Sequence, residues 1–218
     1  MIADVVLFDL DGTLLDSKEG ITKSVQYALA KLGIVVEDRN DLVKFIGPPL
    51  KESFEKYYGV DGVEAIRLYR ECFVGEKKML ENEMYPGIEK LLQDLVAKGK
   101  TLVVATAKPT AYSKIILEHF DLAKYFLEIQ GSELNLTLTQ KEEVIAAILA
   151  RHPEFQKESM VMIGDREHDM YGAKVNGLSS IGVLYGYGDE EELREAGATW
   201  IVKDARELGE LLLENEIR

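Results

Sequence analysis

The stretch VVLFDLDGTL, residues 5–14, constrains the fold more than any other part of the sequence. Its apolar run, Val5–Phe8, is followed by two aspartates, Asp9 and Asp11, with one leucine between them. Apolar runs without polar alternation are typical of strands covered on both faces, as in parallel sheets. Since alternate strand residues point to opposite faces, the two carboxylates can share a pocket only if the chain leaves strand geometry near Gly12. We therefore predict a buried strand that ends in a polar turn.

After residue 100, short apolar runs alternate with amphipathic stretches. The pattern predicts strands at residues 100–106, 126–130, 159–165, 180–184 and 200–202, and helices at about 110–119, 140–151, up to 175, 190–195 and 205–214. Strands that alternate with helices form βαβ units. The predicted fold class is therefore α/β: a Rossmann-like parallel sheet core with helices on both faces.

Between residues 16 and 83 the apolar pattern is helical, and no strand signal interrupts it. Apolar residues recur at helical spacing in two groups: Ile21, Val25, Ala28, Leu29 and Leu32, then Val63, Ile66, Tyr69, Phe73 and Leu80. Turn signals at residues 47–49, Gly59 and Gly62 would separate the helices. We predict an α/β core domain formed by residues 1–15 and 84–218, with an inserted all-helical cap domain at 16–83.

Charge and composition exclude several classes of partner. The 218 residues carry a formal net charge of −13, whereas nucleic acids are bound by clustered Lys and Arg. No apolar run is long enough to span a membrane, and the N-terminus lacks the features of a signal peptide. With a single cysteine, Cys72, these features predict a cytoplasmic protein that binds neither nucleic acid nor membrane. Its oligomeric state, monomer or homodimer, is left open.

Polar residues gather where predicted strands end and where the following helices begin. They are Asp9, Asp11, Thr106, Lys141, Asp165 and Asp169. Because the carboxyl ends of parallel strands meet at one edge of a sheet, we expect these residues to converge. Two carboxylates about 4 Å apart repel by roughly 4 kcal/mol near a protein surface, so a cation must compensate. Oxygen ligands suit Mg²⁺, and the scattered histidines do not predict zinc.

A carboxylate beside a metal ion and a phosphate can act in two ways. One carboxylate can attack phosphorus to form an aspartyl-phosphate, which divides a slow hydrolysis into two easier steps. A second carboxyl can protonate the leaving oxygen and later accept a proton from water. The Thr106 hydroxyl and the Lys141 ammonium would stabilise the phosphoryl oxygens.

Together these residues resemble the four motifs of the haloacid dehalogenase superfamily, in that family's order along the chain. The motifs are Asp9-Leu10-Asp11-Gly12-Thr13-Leu14, Thr106, Lys141, and Gly164-Asp165 with Asp169. The predicted helical insertion resembles the family's cap, so the resemblance covers essentially the whole chain. Within the superfamily the sequence is most similar to phosphoglycolate-phosphatase-like hydrolases, through residues 107–109 and 185–188.

The resemblance implies a role for each aspartate. Asp9 would be the nucleophile and a Mg²⁺ ligand. Asp11 would be the general acid and base, with its backbone carbonyl also facing the metal. Asp165 would bind Mg²⁺ directly, and Asp169 would bind it directly or through another ligand.

The resemblance also implies a phosphoryl-binding set. Thr106 and Lys141 would act in catalysis and bind the substrate, and Ala107 and Lys108 would add to substrate binding. Two departures from the family pattern are visible: Ala107 stands where many relatives have a polar residue, and Lys141 lacks a following proline. Lys108 is therefore the alternative phosphate-stabilising lysine, and a solvated helix surface is the alternative position for Lys141.

These roles imply a Mg²⁺-dependent phosphatase that hydrolyses a small phosphorylated metabolite through an aspartyl-phosphate. Phosphoglycolate-like compounds, nucleotides and sugar phosphates all fit. The alternatives are a phosphosugar mutase on the same scaffold, a receiver-like signalling module phosphorylated on aspartate, and an enzymatically silent binding protein. A receiver differs in having its acceptor aspartate on a middle strand and no helical insertion after the first.

Two further features have less specific interpretations. Five basic residues of the predicted cap could bind a second acidic group of the substrate, or could lie on solvated helix faces: Arg39, Lys44, Lys51, Arg67 and Arg70. Gly186 and Gly188 could form a phosphate loop, but since no helix motif follows them we predict a flexible connection.

Overall fold

The computed structural model describes residues 3–213. In chain order its strands and helices are β1 (Val5–Phe8), β2 (Leu15–Asp16), α1 (Lys18–Lys31), α2 (Leu50–Tyr58), α3 (Gly62–Arg70), β3 (Glu83–Met84), α4 (Ile88–Ala97), β4 (Thr101–Pro109), α5 (Thr110–His119), β5 (Glu128–Ser132), α6 (Lys141–Arg151), β6 (Met160–Gly164), α7 (Glu167–Asn176), β7 (Ser179–Val183), α8 (Glu190–Glu195), β8 (Trp200–Val202) and α9 (Ala205–Leu213). A 3₁₀ turn spans Arg39–Phe45, and a π turn, Glu71–Gly75, follows α3.

Within residues 3–213, six strands form a parallel sheet in the order β5-β4-β1-β6-β7-β8. Strand β1 lies between β4 and β6, and Phe8 pairs with both Val104 and Ile163. The chain leaves β1 for β4 on one side and later returns to β6 on the other. The carboxyl end of β1 is therefore the topological switch point, where ligands of such sheets bind.

The sheet is buried on both faces, as the continuous apolar runs predict. Val6 and Phe8 of β1 belong to one hydrophobic cluster, and Val5 and Leu7 belong to another, which includes Ile148 of α6. The expected α/β class, with helices on both faces of a parallel sheet and an inserted helical cap, is confirmed.

A two-stranded antiparallel ribbon joins the sheet-containing part to the helical part. Leu15 pairs with Met84, and Asp16 pairs with Glu83. Residues 17–82, between the two ribbon strands, contain helices and turns but no strand. Both predicted domain boundaries, between residues 15 and 16 and between residues 83 and 84, fall within this ribbon. We retain the division into a core domain, 1–15 with 84–218, and a cap domain, 16–83, as a proposal.

Some element limits differ from the sequence-based prediction. Strand β5 begins two residues later than predicted, because a 3₁₀ turn at Ala123–Tyr125 precedes it. Strand β4 continues to Pro109, with a shift in its pairing to β5 after Ala105. Val63 is 57% exposed although its spacing predicted burial. No helix within residues 3–213 is long and apolar enough to cross a membrane.

Candidate active site

The turn after β1 holds Asp9 and Asp11 at the carboxyl edge of the sheet. The Asp9 backbone N–H continues the sheet by donating to the Ile163 carbonyl at 2.9 Å. Gly12 has a φ of +84°, and a Cβ at this position would lie 2.2 Å from Oδ2 of Asp165. The chain leaves the strand after Phe8, and the left-handed φ of Gly12 forms part of the turn, as expected. No other residue fits at position 12 without displacing Asp165.

Three carboxylates converge beside this turn. Asp9, Asp165 at the end of β6 and Asp169 in the first turn of α7 each offer one oxygen, and these oxygens lie within 4.8 Å of one another. All three residues are buried. We call them the carboxylate cluster. Its donors are all oxygen atoms, the type that Mg²⁺ prefers, so the cluster fits the metal ion expected from the sequence.

Lys141 supplies positive charge to the carboxylate cluster. Its Nζ lies 2.7 Å from Oδ1 of Asp9 and 2.7 Å from Oδ1 of Asp169, and donates to the Ala105 carbonyl at 2.8 Å. Burial alone lowers the pKa of Lys141, but Asp169 and Asp9 outweigh it and raise the pKa to about 12. Lys141 is therefore a buried, charged residue, and the alternative of a solvated surface lysine is wrong.

The carboxylate cluster retains an excess of negative charge. Burial raises the pKa of Asp9 to about 6, even though Lys141 opposes the shift. Burial, together with the neighbouring charges of Asp169 and Asp9, raises the pKa of Asp165 well above its usual value. A carboxyl group whose pKa rises on burial is one whose ionised form is poorly compensated, so the cluster is suited to a further cation.

Asp11 faces a different set of partners. Its Oδ1 accepts from Lys108 Nζ at 2.7 Å and from the Ser17 hydroxyl. The Lys108 Nζ also lies 5.2 Å from the centre of the Phe73 ring. The two candidate lysines thus contact different aspartates. Lys108 contacts Asp11, the predicted acid and base, whereas Lys141 contacts Asp9 and Asp169 of the carboxylate cluster. The predicted metal contact of the Asp11 backbone carbonyl stays a prediction.

The remaining predicted phosphoryl-binding residues lie on β4. Thr106 is buried, and its hydroxyl oxygen accepts from the Lys108 backbone N–H at 3.3 Å. Ala107 and Lys108 line the adjoining cavity, and the Ala107 carbonyl accepts from the Ser132 hydroxyl at 2.7 Å. The structure therefore brings all eight predicted site residues to the carboxyl edge of the sheet.

A cavity of about 230 Å³ lies between the sheet and the helical segment. Its lining includes four aromatic side chains: Phe45, Tyr69, Phe73 and Tyr112. Of the five basic residues considered from the sequence, Lys51 and Arg70 line this cavity. The others have partners elsewhere: Arg39 pairs with Glu19, Lys44 lies over Tyr57 and Tyr58, and Arg67 pairs with Glu64 and Glu71.

The segment after β7 packs on Asp165 and does not form the flexible connection expected from the sequence. The Tyr187 backbone N–H donates to Oδ2 of Asp165 at 2.7 Å. A Cβ on Gly186 would lie 2.3 Å from Cβ of Asp165, and one on Gly188 would lie 2.0 Å from the Asp165 carbonyl oxygen. The expected flexible connection is therefore wrong. The tyrosine and glycine alternation at 185–188 was the available signal for close packing.

We expect Asp165→Asn to stabilise the metal-free protein at pH 8. A carboxyl pKa that is raised in the folded state adds stability below the unfolded-state value of 3.8, and this stability is lost as pH rises, so the buried Asp165 carboxyl group lowers the stability of the folded state at pH 8. An asparagine oxygen can still accept from Tyr187. Differential scanning fluorimetry should show a melting temperature higher by about 3–6 °C in EDTA.

The same variant should lose the stabilisation that Mg²⁺ gives to the wild type, because a ligand stabilises only the state that binds it. Asp189→Asn, on the surface before α8, is the control and should retain the Mg²⁺ shift. A lower melting temperature in EDTA for Asp165→Asn would contradict the charge-crowding account.

This chain is similar to other proteins in sequence and in backbone structure. Residues 6–183 match the family described as haloacid dehalogenase-like hydrolase. A Pseudomonas aeruginosa protein named 5'-nucleotidase is 47% identical, over 95% of this chain and 94% of that protein. A Vibrio parahaemolyticus protein named phosphoglycolate phosphatase is 27% identical, over 95% of each. The crystal structure of a predicted phosphatase from Clostridium acetobutylicum has a TM-score of 0.95 at 52% identity, covering 99% of this chain and 100% of that one.

Proposed function

Because this chain belongs to the haloacid dehalogenase-like hydrolase family and is a phosphatase of that family, we propose that it is a Mg²⁺-dependent enzyme that cleaves small phosphomonoesters through an aspartyl-phosphate at Asp9. The observation that carries the proposal is the buried carboxylate cluster, held together with Lys141 beside the cavity. This arrangement combines an oxygen nucleophile, a permanent cation and a set of metal ligands.

In the first step a carboxylate oxygen of Asp9 attacks phosphorus, and the bond from phosphorus to the ester oxygen breaks. Asp11 gives its proton to the departing oxygen. Lys108 Nζ, 2.7 Å from Oδ1 of Asp11, would contact the carboxylate that this proton transfer leaves. Lys141 stays charged and holds the Asp9 carboxylate in place through its 2.7 Å contact.

In the second step a water molecule attacks the phosphorus of the aspartyl-phosphate. Ionised Asp11 accepts the proton of that water, and the bond between phosphorus and the Asp9 oxygen breaks. Asp9, Asp165 and Asp169 would hold the Mg²⁺, which when bound offsets negative charge and polarises phosphoryl oxygens. Thr106 and Lys141 would stabilise the transferring oxygens.

The relatives and the cavity support a narrower substrate class. One relative is named 5'-nucleotidase, and the cavity wall carries the rings of Phe45, Tyr69, Phe73 and Tyr112. Aromatic side chains can stack on a nucleobase. We therefore place nucleoside 5'-monophosphates first among the substrates, ahead of phosphoglycolate and sugar phosphates. The helical insertion after β1 argues against a receiver module, which lacks one.

A panel of phosphate esters tests the proposal. Phosphate release should be measured for nucleoside 5'-monophosphates, phosphoglycolate and hexose phosphates, with Mg²⁺ and with EDTA. We expect Mg²⁺-dependent release, with at least one nucleoside monophosphate hydrolysed about tenfold more efficiently than the non-nucleotide esters. Isomerised hexose phosphate without phosphate release would indicate a mutase instead. Turnover that resists EDTA would contradict the proposed metal dependence.

A further inference from the structure

Arg166 bridges the metal-binding turn and the helical cap segment. It directly follows Asp165, and its guanidinium Nη1 donates to the Ile46 carbonyl at 2.8 Å. Its Nε donates to Oε1 of Glu192 in α8 at 2.8 Å. Because one side of the guanidinium is anchored by a carboxylate, the other side is held in position to reach Ile46.

The backbone of the cap segment is shaped to receive this arginine. Gly47 has a φ of +102°, and a Cβ at this position would lie 3.1 Å from Cγ of Arg166. The aliphatic stem of Arg166 therefore packs directly against residue 47, where a side chain would crowd it. Residues 47–49 line the cavity, so this contact fixes part of the cavity wall.

The same residue is tied to the carboxylate cluster through its backbone. The Arg166 N–H donates to Oδ2 of Asp169 at 3.2 Å. Glu192 also accepts from the Glu167 N–H at 2.8 Å, which holds the start of α7. Two other polar contacts of the cap reach the loop before α6 instead. The Gln140 side-chain amide donates to the Glu52 carboxylate, and the Arg70 guanidinium donates to the Leu134 carbonyl.

We propose that Arg166 is a positioning residue that latches the segment 46–49 over the cavity when the cap is closed. The inference rests on the proposed phosphatase function, in which substrate enters the cavity between cap and core. The open form must break the contact between Arg166 and Ile46 if the cap moves away from the core. The latch therefore raises the fraction of enzyme in the closed form. The apparent substrate affinity increases with that fraction, because the closed form is the one that holds the substrate.

Arg166→Met tests the latch, because methionine keeps an unbranched stem against Gly47 but donates no hydrogen bond. We expect KM for the best substrate of the panel to rise about tenfold. The value of kcat should change less than about threefold, because bound substrate adds its own contacts to the closed form. Amide hydrogen exchange of residues 42–50 should be faster in the variant. Arg166→Lys, which retains a cation, should recover part of both properties.

Arg194→Ala is the matched control, since Arg194 lies on the same helix as Glu192 but is exposed and pairs with Glu190. It should leave KM and exchange unchanged. Unchanged exchange of residues 42–50 in Arg166→Met would overturn the latch. So would a tenfold weaker activation by Mg²⁺ with unchanged KM, which would place the role of Arg166 in the metal turn. If the wild type hydrolyses no ester, the proposed function fails, and the exchange measurement still decides the latch.

Discussion

Asp9→Asn is expected to lower phosphatase turnover by a factor of about 10⁴ or more. The amide is a poor nucleophile toward phosphorus, so the first chemical step is lost. The substitution is nearly isosteric, and the backbone bond from residue 9 to Ile163 is retained. The fold should therefore survive, which a melting curve beside the wild type will show. Steady-state phosphate release with saturating Mg²⁺ is the measurement.

Asp4→Asn is the matched control for this loss. Asp4 lies just before the opposite end of the same strand, and its side chain is exposed beside Lys100. Its turnover should equal that of the wild type. If Asp9→Asn kept activity within tenfold of the wild type, Asp9 would not be the nucleophile.

Lys141→Met is expected to destabilise the metal-free protein strongly. The substitution removes the cation between Asp9 and Asp169 while both carboxylates stay buried. Breaking a buried ion pair from one side costs about 3–5 kcal/mol, which in a chain of this size lowers the melting temperature by about 6–20 °C. Urea unfolding in EDTA measures the free energy of unfolding directly. Mg²⁺ should restore part of the loss.

Lys124→Met serves as the control for Lys141→Met. Lys124 is half exposed and pairs with Asp121 on the surface, where an ion pair contributes little to stability. The free energy of unfolding of Lys124→Met should match that of the wild type. Equal stability of Lys141→Met and Lys124→Met in EDTA would show that Lys141 does not compensate the carboxylate cluster.

The fold was predictable because its signals are local and repeated. Continuous apolar runs such as Val5–Phe8 indicate strands buried on both faces, and their alternation with helices dictates a parallel sheet. Element limits were less accurate where tertiary contacts decide them. Strand β5 starts two residues after the predicted position, following a 3₁₀ turn at Ala123–Tyr125 that apolar spacing does not encode.

The carboxylate cluster was predictable for a different reason. Parallel topology places strand ends together, so Asp9 and Asp165 could be paired across more than 150 residues of sequence. The partners of these residues were not predictable, because they depend on side-chain reach. Nothing in the sequence indicated that Lys108 would contact Asp11, or that Tyr187 would donate its backbone N–H to Asp165.

Arg166 shows most clearly which contacts the sequence does not predict. Its place beside Asp165 was visible in the sequence, but its contact with Ile46 joins positions 120 residues apart in the chain. That contact depends on how the helical insertion folds back over the sheet, which apolar spacing does not specify. The family resemblance, confirmed by the match over residues 6–183, implies roles for the motif aspartates and none for this arginine.

Identifying the residue that accepts the phosphoryl group tests the central claim most directly. Turnover with Mg²⁺ is stopped by acid, and borohydride then converts a phosphorylated aspartate to homoserine, which peptide mass spectrometry locates. We predict homoserine at position 9 in the wild type and none in Asp9→Asn. Homoserine at Asp11 or Asp165, or none anywhere during active turnover, would contradict the account.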